Sequence, residues 1–230
     1  MKAFTRREFI KTTALTAASV SVADVSRAQP TPAPSPKNSK TAVREALTGP
    51  CASVRLPFDR GGAIDYPSLE KQIEFVLHAG SKSVILTRGD SLYSLLTDDE
   101  ISEVTKAVVK FVNHRALVVA ADGSWATDKE VQFAKYCKET GVDMLMVLPP
   151  DWGGSNTIST LVAHYRAVAE HIPVMVVTNY LRKKPMSFSL KLLEALRGQV
   201  PGVAALKDDV GGEFARRVCL LAHDRWAIIA

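Results

Sequence analysis

The stretch VAALKDDVGG at 203–212 ends an apolar run on a lysine, then adds two carboxylates and a glycine pair. Burying an ammonium is costly unless its charge is paired or its pKa falls. Lys207 therefore has two readings: a solvated strand-end lysine paired with Asp208 or Asp209, or an amine held for chemistry. A desolvated lysine gives up its proton more readily, which leaves a free amine. Other reactive residue types are scattered. His78, His114, His164, His171 and His223 fall mostly on predicted helices or their ends, without ligand spacing. Cys51, Cys137 and Cys219 lie far apart with no C-x-x-C pair, so neither a metal site nor a disulfide framework is expected.

A lysine at a strand end needs a scaffold, and the chain supplies a repeating one. Short apolar runs at 51–58, 83–87, 116–121, 143–149, 173–180, 203–207 and 226–230 read as strands covered on both faces of a parallel sheet. Helical periodicity fills the gaps at 66–79, 97–113, 126–140, 156–171, 187–198 and 211–223. Thr97 with Glu100 three residues on forms a capping-box signature, and Gly80 and Gly141 stand where helix C-caps favour glycine. Regular βα alternation leaves an open doubly wound sheet or a closed barrel. No G-x-G-x-x-G follows the first strand, which weakens a dinucleotide-binding reading, and no cofactor is expected. A (β/α)8 barrel takes about 250 residues; the segment 41–230 offers seven strand candidates. The expectation is an incomplete TIM-type barrel, truncated at its C-terminus, with an open seam.

The first 28 residues read as an address. Arg6 and Arg7, then Phe9, Ile10 and Lys11, precede a mildly apolar stretch that closes on Ser26, Arg27 and Ala28. This is the pattern of a twin-arginine export signal, and it predicts a periplasmic or extracytoplasmic protein with no stable membrane insertion. QPTPAPSPKNSK follows, so 29–47 is assigned as a proline-rich linker and 48–230 as the barrel domain. Of the net charge of +5, three units sit in the leader, and the remaining +2 gives no reason to expect nucleic acid.

Several segments together resemble the dihydrodipicolinate synthase and N-acetylneuraminate lyase family. GPCASVRLPFDRGGAIDYPSLEKQIEFVLHAG is similar to the family's opening, and LTDDE (96–100), DGSWAT (122–127), GVDMLMVLPPDW (141–152) and GVAALKDD (202–209) follow in the family's order. The resemblance covers about 48–230 and implies a (β/α)8 barrel whose sixth-strand lysine forms a Schiff base with pyruvate or another 2-keto acid. Lys207 matches that lysine.

The chain departs from the pattern around it. Gly89 and Asp90 stand where the resemblance places a threonine pair that holds the keto acid's carboxylate. A carboxylate at Asp90 repels a substrate carboxylate unless Arg88 or another cation offsets it. Thr178 replaces the fifth-strand tyrosine that passes protons, and a threonine hydroxyl is a poor acid or base. Tyr180, of the same strand parity, is the candidate to reach inward instead. Arg182 and Lys183 are candidates for the arginine that binds the distal carboxylate, and Trp152 falls near an aromatic of the site or of a subunit contact. The function expected is a Schiff-base-forming lyase or aldolase acting on a small 2-keto acid or sugar acid. The alternative is a non-catalytic, truncated relative that binds without turnover. The family's barrels usually associate as dimers or tetramers, so the partners expected are the small molecule and further copies of the chain.

Overall fold

The computed structural model describes residues 40–149 and 155–230. Within them α1 (Lys40–Ala46) leads into a βα alternation of β1 (Cys51–Ser53), α2 (Tyr66–His78), β2 (Ser83–Ile85), α3 (Asp98–Val112), β3 (Leu117–Ala121), α4 (Thr127–Thr140) and β4 (Met144–Val147). It continues through α5 (Ile158–Ala169), β5 (Val174–Val177), α6 (Met186–Gln199), β6 (Val203–Lys207), α7 (Gly212–Ala222) and β7 (Ala227–Ile229). The seven strands are parallel and lie in chain order, each paired with the next. This is a TIM-type barrel carried through seven strands, with no pairing of β7 to β1 among the described residues.

Local chemistry explains the alternation. β2, β3, β4 and β5 are buried at every position, as central strands covered on both sides must be. α2 starts where Asp65 accepts from the Ser68 amide at 3.1 Å, and it turns Leu69 and Ile73, both fully buried, onto the sheet. Burying each such side chain favours folding by about 1.5–3 kcal/mol. The capping box of α3 forms, with Thr97 accepting from the Glu100 amide and the Glu100 carboxylate accepting from the Thr97 amide. Gly141 closes α4 at φ +95°, where a side chain would strain the backbone. Gly202, just before β6, has the Ala169 carbonyl oxygen 2.6 Å from where a Cβ would sit, so only glycine lets α5 approach.

Three segments differ from their sequence patterns. The strand expected over 173–180 stops at Val177, and the chain turns into a 3₁₀ helix, Asn179–Lys183. At this point the Thr178 amide still donates to the Lys207 carbonyl at 3.0 Å, and its hydroxyl bonds Asp208 and the Asp209 amide. The first strand is a ladder over Cys51–Ser53 alone; beyond it the chain bends so that Phe58 bridges Ile64. The expected linker also ends earlier than 47. Residues 40–46 form α1, which buries Val43 and Ala46 and sends Arg44 to the carbonyls of His223 and Trp226. The last proline of that stretch is Pro36, and KTAVREAL beyond it carries an apolar face. The leader and the proline-rich stretch through residue 39 lie outside the described residues.

Candidate functional site

Lys207 is the last residue of β6, at the C-terminal end of the sheet where βα loops gather. Its register partner on β5 is Val177, so the two side chains point to the same face. Ala121 and Met146 are register partners in the same way on β3 and β4. These four side chains floor a cavity of about 200 Å³, walled by the 87–90 loop after β2 and closed by Asn179 and Asp209. The volume suits a molecule of a few heavy atoms rather than a drug-sized ligand.

The Lys207 side chain is 25% exposed and its ammonium is ion-paired with Asp209, itself 21% exposed. Across the cavity, Arg88 and Asp90 present opposite charges from one loop. Arg88 Nη1 donates to the Gly123 carbonyl at 2.5 Å, which fastens that loop to the one after β3. Asp90 Oδ2 accepts from Ser53 Oγ at 2.7 Å, and its amide donates to Thr87 Oγ1 at 2.9 Å. Asp90 is thus held toward β1, with Gly89 beside it on the cavity wall.

The turn after Lys207 is tightly bonded. Asp208 accepts from the amides of Val210 (2.9 Å) and Gly211 (3.2 Å) and from the Thr178 hydroxyl (3.1 Å). The Asp209 amide donates to the same Thr178 oxygen at 2.8 Å. Thr178 is fully buried and, one residue past Val177, faces away from the cavity. Tyr180 lies on the 3₁₀ helix, and its phenol accepts from Asn156 Nδ2 at 2.5 Å. It is not among the cavity-lining residues, so strand parity does not bring it to Lys207. Arg182 and Lys183 are exposed on the same 3₁₀ helix and also lie off the cavity. Trp152 lies outside the described residues. Of the side chains picked out by sequence, the structure therefore gathers Lys207, Arg88, Gly89 and Asp90, and leaves Thr178, Tyr180, Arg182 and Lys183 around the rim or behind it.

Four further residues bear on the cavity. Asp209 was visible only as a countercharge, and Asn179, two residues past Val177, lines the same cavity. Behind the floor, Asp122 and Glu130 form a fully buried carboxyl pair. Asp122 Oδ2 accepts from the Leu148 amide at 2.9 Å, while its Oδ1 and both Glu130 oxygens have no hydrogen bond of good geometry. Burial raises both carboxyls, Glu130 further because the Asp122 charge sits beside it, so a proton retained between them supplies the missing donor. The signal was a lone aspartate directly after the wholly apolar LVVAA. His164, also buried, is held down to about 4 by burial, with Nδ1 at 3.0 Å from Thr127 Oγ1. A wider hollow of about 720 Å³ opens between α5 and α6, lined by Arg166, Phe188 and Gln199; it holds no amine paired with a carboxylate and is remote from Lys207. Among the described residues no cluster of three or more His, Cys, Asp or Glu could hold a metal ion, and no helix is long and apolar enough to cross a membrane.

Comparison with known proteins gives the chain its relatives. The chain is 30% identical over 146 residues to the 4-hydroxy-tetrahydrodipicolinate synthase of Staphylococcus haemolyticus and 32% identical over 146 residues to that of Staphylococcus carnosus, each match covering 63% of this chain and 49% of the relative. It thus spans about half the length of the curated relatives it matches. Among solved structures, dihydrodipicolinate synthase from Acinetobacter baumannii complexed with pyruvate superposes with a TM-score of 0.68 at 22% identity, over 79% of this chain and 62% of that one. The Agrobacterium tumefaciens enzyme gives 0.67 at 23%, over 80% and 64%. Both likenesses are of fold. The Dihydrodipicolinate synthetase family model matches residues 46–229, four-fifths of the sequence, and the chain belongs to that family.

Proposed function

We propose that the chain is a Schiff-base-forming lyase acting on a small 2-keto acid or sugar acid, with Lys207 as its nucleophile. The observation that carries this reading is position: a half-buried amine at the C-terminal end of β6, aimed into a cavity of about 200 Å³. Family membership supports aldolase-like chemistry, and a relative solved with pyruvate supports a keto acid as the electrophile. Attack of the free Lys207 amine on C2 and loss of water leaves an iminium, which draws electrons from the adjacent carbon during cleavage or addition. Arg88 is the cation placed to hold the substrate carboxylate, and Asp90, tied to Ser53, excludes a second carboxylate from its side of the cavity.

Export by the twin-arginine route belongs to the same proposal. It rests on Arg6, Arg7, Phe9, Ile10 and Lys11, and it favours scavenging of sugar acids outside the cytoplasm over biosynthesis within it.

Incubation with pyruvate and a panel of 2-keto acids, followed by borohydride reduction and peptide mapping, tests the chemistry. The expected result is a reduced adduct on the peptide containing Lys207, lost in Lys207→Ala. Thermal stabilisation by a keto acid without any adduct would instead identify a non-catalytic binder.

A further inference from the structure

We infer that Asp209 is the proton carrier of this site: it takes a proton from the Lys207 ammonium and returns it to the departing hydroxyl. The inference rests on the Schiff-base reading and assigns a catalytic residue within it. A lysine ammonium cannot attack a carbonyl, so something in contact with Nζ must accept a proton before the bond forms. Asp209 is in contact, and both side chains line the cavity.

The other candidates are occupied elsewhere. The Thr178 hydroxyl is buried between Asp208 and the Asp209 amide. The Tyr180 phenol faces Asn156, and the Asp90 carboxylate faces Ser53. Asp208 is consumed by the amides of Val210 and Gly211. Those same bonds fix the turn, so Asp209 is aimed by its own backbone and its carboxylate meets Lys207 as its one side-chain donor among the described residues.

The surroundings favour the transfer. Arg88 and Asp90 from the loop after β2 are the charges facing the pair, and they oppose each other. From β4 and β5 the neighbours are Met146, Leu148, Val177 and Asn179, all uncharged, and the Asp122 carboxyl lies buried behind β3. Moving one proton from Lys207 to Asp209 replaces two half-buried charges with two neutral groups, which such a wall disfavours least.

The sequence balances. Asp209 receives one proton from the ammonium, and the neutral amine adds to C2 while the carbonyl π pair moves to oxygen. A proton then passes from the new N–C nitrogen to that oxygen, giving the carbinolamine. Protonated Asp209 gives its proton to the carbinolamine hydroxyl; the C–O bond breaks, water leaves, and the nitrogen lone pair forms the C=N bond. The iminium keeps one of the three original ammonium protons, two have left in water, and Asp209 is again a carboxylate.

The test times adduct formation with pyruvate by borohydride quench across pH, in the full chain. Asp209→Asn is expected to slow the adduct about 100-fold, within the range of a lost acid–base group, with the label still on Lys207. Its rate should then depend on added buffer base, which replaces the lost carboxylate as proton acceptor, and differ from the parent's in its pH profile. Asp209→Glu, which keeps the carboxylate, should stay within about tenfold of the parent. Should the asparagine chain fail to fold, Asp209→Ser carries the same expectation. Parent-like rates in Asp209→Asn, or slow rates with the parent's pH profile and no rescue by glutamate, overturn the role of Asp209 and leave the Schiff base standing. No adduct in the parent chain overturns both.

Discussion

Thr178 shows how one hydroxyl can set a site without touching substrate. It donates to Asp208, accepts from the Asp209 amide, and lies under both with no exposure. Thr178→Val keeps the shape and removes both bonds, leaving the part-buried Asp209 N–H without its acceptor and Asp208 Oδ1 with the Val210 amide alone. A loss of about 2 kcal/mol is expected, the cost of unsatisfied buried polar groups. Denaturant unfolding measures it; an unchanged midpoint would mean the 207–211 turn holds without this anchor. At this scale the sequence singled out Lys207, because a lysine closing VAALK is costly to bury without a purpose. It did not separate Asp208 from Asp209. The two differ in which way a turn aims them, and adjacent identical residues carry no mark of that.

Between elements, the carboxyl pair joining the end of β3 to α4 governs pH response. Glu130 is held above its ordinary value of 4.5 by burial first and the Asp122 charge second. Below 4.5 both folded and unfolded chains hold this proton, and its contribution is fully present. Above it the unfolded chain ionises while the fold keeps the proton, so stability falls as pH rises, by about 1.4 kcal/mol per pH unit in the limit. Glu130→Gln keeps a donor for Asp122 and removes the titration. Relative to the parent, that variant should gain at least about 2 kcal/mol between pH 5 and pH 8. Unfolding curves at the two pH values decide it: parallel behaviour would mean the pair is not proton-sharing. The elements themselves were largely readable. Thr97, Glu100 and Gly141 announced helix ends because caps act over three or four residues. The tie between Thr178 and the turn after β6 was not readable, because it spans 30 residues.

At the scale of the whole chain, the proposed export rests on residues 1–28 and the fold on the βα repeat. If the twin-arginine reading holds, residues 1–28 fused to a folded reporter should carry it out of the cytoplasm. Lysine at both Arg6 and Arg7 should retain it inside, as cell fractionation would show; export that survives the double substitution would discard the assignment. The sequence by itself determined the βα rhythm, the parallel sheet, the family pattern and the candidate amine. Those signals are local in range: hydrophobic period, capping chemistry and short motifs. Only the tertiary structure decided which groups meet that amine. It brought the 87–90 loop across from β2, took Thr178 and Tyr180 away, and turned Asp209 in. Proximity among strand ends is set by register and by side-chain bonds across the sheet, and neither is written in the spacing of residues along the chain.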